Sequence, residues 1–339
     1  MKKKIALIFG GEGHERFISL MSARWIFEQL SDEKYEVIPV FISHRGDWYI
    51  SRSPMENMPI SGASPTFPIM LHGKSGLLVG GGILKIDVAI PILHGDLGED
   101  GVIQGALTAA HIPFVGCDTL SSAVCADKGY TKAVAHSLGI KTAEWTVEYG
   151  RDEGAKERAR AEAEKSFGYP MFIKPLRLGS SLGASAVSCR SGFDAAYLSA
   201  SRYGGVLIER LIPHEYEIEC AYLSTKTGEL YSAGGVVKSH GMTYSFKEKY
   251  KGSAITAEKD VKNPYKNEIE ALAKRLTSAL GLSALARLDF FVGCDGEIYF
   301  NEINTLPGMT ERSLYPSLTE SMGLAEGEFL DILIDGVCP

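Results

Sequence analysis

The sequence predicts an α/β fold: a doubly wound, mostly parallel sheet at the N-terminus, turning to α+β in the C-terminal half. Two observations carry this. Through the first 120 or so residues, short β-branched and apolar runs alternate with amphipathic helical spacing, the pattern of strands joined by helical crossovers. Later, two apolar strand patterns flank Cys294-Asp295-Gly296 closely enough to form a hairpin.

The elements follow in order. Lys4 to Phe9 is apolar and stops at Gly10-Gly11, so it is a buried first strand. From Ser19 to Leu30, the residues Leu20, Ala23, Ile26, Phe27 and Leu30 share one helical face. Tyr35 to Ile42 is a second strand, and a polar, Gly/Pro-rich stretch runs on to about residue 76. Ile86 to Leu93 is a further buried strand, with a short helix from Gly101 to Ala110 behind it. Leu120 to Ile140 is helical, and so is the charged run Arg151 to Phe167. Met171 to Pro175 and Ala184 to Val187 are strands around a glycine-rich turn, and Val206 to Glu209 and Glu217 to Leu223 are strands again. A polar segment near 240–262 leads to a helix from Asn267 to Leu280, then to the hairpin strands Ala284 to Val292 and Glu297 to Glu302. Leu318 to Leu333 is an amphipathic closing helix, interrupted by Gly323 and Gly327.

Composition narrows the function classes. The 339 residues are 45% hydrophobic and 23% charged, enough for two or three subdomains with ordinary globular cores. A formal charge of −7 gives no general attraction to nucleic acid or anionic lipid, so neither is expected as a partner. The six cysteines include no C-x-x-C and no zinc-site spacing, and are read as thiols of a reducing compartment. Three lysines follow Met1, but Ile5 to Phe9 is too short for a signal h-region, and no apolar stretch approaches a membrane span; the expected location is the cytoplasm.

The richest stretch for chemistry is Arg287-Leu288-Asp289 with Asn301-Glu302-Ile303-Asn304-Thr305-Leu306-Pro307-Gly308. Residues two apart in a strand point the same way, so Arg287 and Asp289 share a face, as do Glu302 and Asn304. Pairing the strands collects two carboxylates, an amide oxygen and a guanidinium. Hard oxygen ligands of this kind suit Mg²⁺ with a nucleotide. In a second cluster, a strand delivers Lys174, Pro175 ends it, and Gly179-Ser180-Ser181 turns with its N–H groups exposed, an arrangement that suits phosphate although it is not a Walker A motif. His94-Gly95-Asp96-Leu97-Gly98-Glu99-Asp100-Gly101 and Gly10-Gly11-Glu12-Gly13-His14-Glu15-Arg16 each follow a predicted strand, where open α/β sheets bind ligands. Singly, Glu12, Asp96 and Asp100 are read as loop acids. Arg16 stands where a dinucleotide fingerprint needs its third glycine, which argues against a dehydrogenase.

Taken together and in this order, nearly end to end, these segments resemble the D-alanine–D-alanine ligase family of the ATP-grasp enzymes. The resemblance runs through Gly10-Gly11, Glu15 and Ser19; through His94-Gly95, Gly98 to Gly101 and Gln104-Gly105; and through Pro113 to Cys117, Ser121, Ser122, Asp127 and Lys128. It continues through Lys174-Pro175 and Gly179 to Gly183, then Arg287, Asp289, Glu302, Asn304, Pro307-Gly308, Thr310, Ser313 and Tyr315-Pro316. It implies an ATP-grasp fold with a substrate-binding α/β domain over 1–120, a central subdomain over 121–210 and a C-terminal subdomain over 211–339 carrying an ω-loop.

It also implies roles. Lys128, Lys174, Ser181 and Lys249 would meet ATP phosphates; Glu209 and Ile212 the adenine; Glu217, with Glu215 as the alternative, the ribose. Asp289, Glu302 and Asn304 would bind two Mg²⁺, with Mn²⁺ as a substitute. Glu15 would take the first ammonium, linked to Ser180 and Tyr250; Arg287 and the Gly308 N–H would stabilise an oxyanion; His94, Ser313 and Leu314 would contact substrate. The activity implied is ATP-dependent joining of two D-alanines through an acyl phosphate, for peptidoglycan precursors, in a homodimer. Tyr250 favours an amine over the D-lactate hydroxyl, and Leu314 favours D-alanine over D-serine. The chain departs from the family pattern at Phe17, Ala126, Ser245 and Phe246. The rival from another class is a non-catalytic ATP-binding module, which would predict a damaged metal or oxyanion set.

Overall fold

The structure is a computed structural model, and it describes residues 2–13, 15–51, 53–54, 70–72, 76–238, 263–311 and 313–337. The first sheet contains β1 (Lys3–Gly10), β2 (Tyr35–Ile42) and β3 (Trp48–Ile50). A three-stranded antiparallel ribbon follows: β4 (Met70–His72), β5 (Gly76–Val79) and β6 (Gly82–Lys85). The fourth strand of the first sheet is β7 (Val88–Pro91), and the order is β3-β2-β1-β7. β1 pairs in parallel with β2 and β7, while β3 is antiparallel, so the expected mostly parallel sheet is present. β1 is buried from Ile5 to Phe9, as a central strand covered on both faces must be. The polar stretch before residue 76 nevertheless contains β3 and β4, strands too short to show an alternating pattern.

Two antiparallel sheets make up the rest. β8 (Trp145–Glu148), β9 (Met171–Pro175), β10 (Ser185–Val187) and β11 (Val206–Arg210) lie in the order β10-β9-β11-β8. β12 (His214–Thr225), β13 (Gly228–Lys238), β14 (Leu285–Gly293) and β15 (Ile298–Asn304) lie in the order β13-β12-β14-β15. The β14–β15 hairpin closes where the sequence predicts it, with Gly296 N–H donating to the Gly293 carbonyl at 2.9 Å.

Two predicted helices are each divided in the structure, and helix Arg190–Ser201 was not predicted. Leu120 to Ile140 is two helices, Thr119–Ala126 and Lys128–Ser137, because the Asp127 carboxylate accepts from the N–H groups of Gly129 and Tyr130 and starts a new helix. The closing segment is likewise two helices, Leu314–Glu320 and Glu328–Val337, divided near Gly323 and Gly327, both at positive φ.

The cores tie distant segments together. Tyr315, Leu318, Phe329, Leu330, Leu333 and Ile334 pack with Ile5, Leu7, Phe9 and Trp25, so the C-terminal helices cover the N-terminal sheet. Cys117, Cys125, Ala135 and Ile140 pack instead with β12, β14 and helix Lys266–Leu280. Among the described residues no helix is long and apolar enough to cross a membrane.

Candidate active site

The N-terminal sheet contributes a corner at the C-terminal ends of β1 and β7. Gly10 has φ +99°, and a Cβ there would lie 2.3 Å from the Ile42 carbonyl oxygen, so only glycine allows the chain to leave β1 this close to β2. The Ser19 hydroxyl accepts from Gly10 N–H and donates to the Ile92 carbonyl, joining the two strand ends. Glu15, just before helix Arg16–Gln29, accepts a short hydrogen bond from the Ser180 hydroxyl. Its Oε2 is buried and has no hydrogen-bond partner among the described residues. Gly95 leaves room for that oxygen, since a Cβ there would come within 2.7 Å of it.

Glu99 accepts from Gly95 N–H at 2.9 Å in the same corner. Burial, reinforced by the Glu15 charge, pushes the Glu99 carboxyl up to about 8, and burial raises Glu15 as well. His94 is buried beside Ser22, at 3.3 Å, and burial pulls its imidazole down to about 4, so it is neutral at pH 7. Ser22 also accepts from Met309 N–H at 3.2 Å, which places the Leu306-to-Thr310 turn against this corner.

The second contribution is a cleft between the two antiparallel sheets. It is lined by Lys128, Lys174, Ser180, Ser181, Glu209, Ile212, Glu217, Asp289 and Glu302, all of them sequence-predicted site residues. Ser180 and Ser181 have φ +55° and +56°, left-handed backbone that non-glycine residues seldom adopt. Successive N–H groups held in such a turn form a cradle for an anion. Lys128 Nζ donates to the Leu178 carbonyl at 3.0 Å and lies 3.6 Å from Glu302. Lys174 Nζ sits 2.9 Å from Glu209 and donates to Asn301 Oδ1 at 3.1 Å. Burial opposes the Lys174 charge, but Glu209 and Glu302 outweigh it and its pKa is raised.

On β14 and β15, Asp289 stands opposite Glu302 and Arg287 opposite Asn304, so all four share one face as the two-residue period requires. The register shifts just beyond Asp289, and this bulge lets the adjacent residues Asn301 and Glu302 both line the cleft. Arg287 holds Asp289 with two hydrogen bonds, at 2.8 and 2.7 Å, and reaches Glu219 at 3.2 Å. Asn304 Nδ2 donates to Asp289 at 3.1 Å. Among the described residues no group of three His, Cys, Asp or Glu side chains stands ready for a metal. The fit is therefore that of two carboxylates and an amide. Each carboxylate has about four lone-pair sites, so hydrogen-bonded Asp289 keeps acceptor capacity for a hard divalent cation.

Arg287, Asn304 and Glu15 contact cleft residues without lining the cleft, and His94 lies in the corner against Ser22 and Leu306. Gly308 and Ser313 form a separate turn, in which Ser313 Oγ accepts from Thr310 N–H at 3.0 Å. Leu314 packs in part against the N-terminal core. Lys249 and Tyr250, with Ser245 and Phe246, lie outside the described residues.

Four further side chains contact the site without being predicted from the sequence. His214 stacks on Phe291 with centroids 4.4 Å apart and contacts Glu217 at 3.3 Å. Glu219 touches Arg287, and its position two residues after Glu217 on one strand was a usable signal. Glu99 lies in the segment His94 to Gly101, and the resemblance implies no role for it. Lys132, one helical turn after Lys128, reaches Glu209 at 2.5 Å.

The chain is similar to known proteins over nearly its whole length. The family described as D-ala D-ala ligase N-terminus matches residues 4–117, and D-ala D-ala ligase C-terminus matches 134–335. A D-alanine–D-alanine ligase of Thermoanaerobacter sp. (strain X514) is 37% identical over 350 residues, covering 98% of this chain and 96% of that one. One from Deinococcus radiodurans is 36% identical over 341 residues, covering 99% and 98%. Among solved structures, the VanG D-Ala:D-Ser ligase from Enterococcus faecalis superposes with a TM-score of 0.84 at 33% identity, covering 99% of each chain. The D-alanine–D-alanine ligase from Coxiella burnetii superposes with a TM-score of 0.81 at 30% identity, covering 99% of this chain and 95% of that one.

Proposed function

The chain belongs to the D-alanine–D-alanine ligase family, and on that premise we propose that it joins two D-alanines through a D-alanyl phosphate, giving D-alanyl-D-alanine, ADP and phosphate for peptidoglycan precursor synthesis. The observation that carries this reading is one cleft walled by two buried lysines, a left-handed serine turn and the carboxylate pair Asp289 and Glu302.

A carboxylate is a poor electrophile, so the first D-alanine must be phosphorylated before an amine can attack it. Lys128 and Lys174, with the N–H groups at Ser180 and Ser181, spread the charge of ATP phosphates. Ile212 and Glu209 meet the adenine and Glu217 the ribose, beside the His214–Phe291 stack. Asp289, Glu302 and Asn304 would hold the divalent metal, which we take to be two Mg²⁺ with Mn²⁺ as a substitute, and it supplies charge neutralisation at the transferring phosphoryl group. Glu15 offers its buried oxygen to the first ammonium, and Ser180 holds that carboxylate in place. Arg287 has five N–H donors, two of them on Asp289, and with the Gly308 N–H it stabilises the tetrahedral oxyanion when the second amine attacks. His94, Ser313 and Leu314 contact substrate, and Lys249 and Tyr250 keep the ω-loop roles that the resemblance implies. We also propose the segment division 1–120, 121–210 and 211–339, a homodimer and a cytoplasmic location.

The similarity to a D-Ala:D-Ser ligase structure gives a second reading for the second substrate. An apolar contact such as Leu314 rejects an added hydroxyl only weakly. Offering D-alanine, D-serine and D-lactate at equal concentration with ATP and Mg²⁺, and weighing the products, separates the two. D-Alanyl-D-alanine is expected to dominate, with phosphate release dependent on D-alanine. A dominant D-serine product would replace the D-alanine reading.

A further inference from the structure

Glu209 lies at the back of the nucleotide cleft, on β11, and is only 4% exposed. Two ammonium groups face it. Lys174 Nζ on β9 is 2.9 Å from Oε2, and Lys132 Nζ on helix Lys128–Ser137 is 2.5 Å from Oε1. The two lysines differ in placement. Lys174 lines the cleft, also donates to Asn301 and feels Glu302 and Asp289, so bound phosphates draw on it. Lys132 has no exposed surface and does not line the cleft; it meets the Glu209 oxygen other than the one Lys174 meets.

We infer that Lys132 is a specificity-determining positioning residue, which keeps Glu209 an ionised, acceptor-only carboxylate and so selects a base carrying an amino donor at its 6-position. This rests on the proposed contact between Glu209 and adenine. The physical logic is one of desolvation. A buried carboxylate without a counter-charge takes up a proton, and a protonated one donates to a 6-carbonyl as readily as it accepts from a 6-amino group. Burial alone would raise Glu209, but Lys132 and Lys174 together hold it below the usual carboxylate range. When phosphates claim Lys174, the charge at Glu209 depends on Lys132. The arrangement separates two tasks that one lysine could not perform at once: binding phosphate and fixing the base reader's charge.

The probe is purine riboside triphosphate, which has hydrogen in place of the 6-amino group of ATP and keeps the N1 acceptor. A hydrogen bond to a charged acceptor is stronger than one to a neutral acceptor, so the wild type should prefer ATP in kcat/KM by roughly 10- to 100-fold. Lys132→Met, similar in volume, should reduce the preference to roughly 2- to 10-fold and raise KM for ATP more than it lowers kcat. Glu209→Gln should reduce it by as much, and adding Lys132→Met to Glu209→Gln should remove nothing further. A wild-type preference retained in Lys132→Met but lost in Glu209→Gln overturns the inference about Lys132. A preference untouched by Glu209→Gln overturns the adenine contact itself. Should Lys132→Met not fold, the wild-type preference measured from about pH 6 to 8.5 decides instead. It stays flat if Lys132 and Lys174 keep Glu209 charged, and a fall on acidification overturns the inference.

Discussion

The two ends of this site treat a buried carboxylate in opposite ways. At the proposed nucleotide end, Glu209 faces Lys132 and Lys174 and is held below the carboxylate range. At the proposed amino-acid end, burial raises both Glu15 and Glu99, and the Glu15 charge raises Glu99 further. The first carboxylate is neutralised within the protein, so it stays charged with or without ligand. The second pair feels Lys128, and Glu99 also Arg287, but burial outweighs them, so the pair gains from a substrate ammonium. A base reader must be fixed in advance, because adenine brings no formal charge to complete it. An ammonium site gains by being incomplete, since the ligand then supplies the missing partner.

The largest effect should come from the strand pair between the two ends. Glu302→Gln removes one of the two carboxylates that face each other on β14 and β15 while keeping its shape, and kcat should fall by roughly 10²- to 10³-fold with a weaker response to added Mg²⁺. Turnover and metal response unchanged in a Mg²⁺ titration would remove Glu302 from the metal set. Next, Glu15→Gln tests the incomplete end. Loss of its charge should raise KM for the first D-alanine by roughly 10- to 100-fold while KM for ATP stays within about twofold. If KM for ATP moved equally, the two ends would not be separate.

The sequence carried the chemistry of the strand pair because a two-residue period and a short hairpin suffice to bring Arg287, Asp289, Glu302 and Asn304 together, and they do share one face. It did not carry the bulge beyond Asp289, which adds Asn301 to the cleft wall, since a register shift depends on both strands. Lys132 was hidden for a related reason. A lysine at 0% exposure is unusual, and nothing local distinguishes it from the solvated lysines of an ordinary helix; its partner lies on β11, far along the chain. The N-terminal sheet was legible strand by strand where strands were long and apolar, whereas β3 and β4 are three residues each and leave no period to read.

The smallest effect, and the one that most sharpens the contrast, concerns Glu99. Its carboxyl is pushed up to about 8 by burial and by Glu15, against 4.5 for the ordinary group. Between those values the folded chain keeps a proton that the unfolded chain has lost, so stability falls as pH rises through this window and stays lower above it. Glu99→Gln is neutral throughout and should abolish that slope. Compared by urea unfolding at about pH 5 and pH 9, the wild type should lose roughly 2–4 kcal/mol more than the variant. Activity at neutral pH should change little, because wild-type Glu99 is already mostly protonated there. Equal slopes in the two proteins would mean that the corner holds no trapped proton, and that the amino-acid end is no more crowded with negative charge than the nucleotide end.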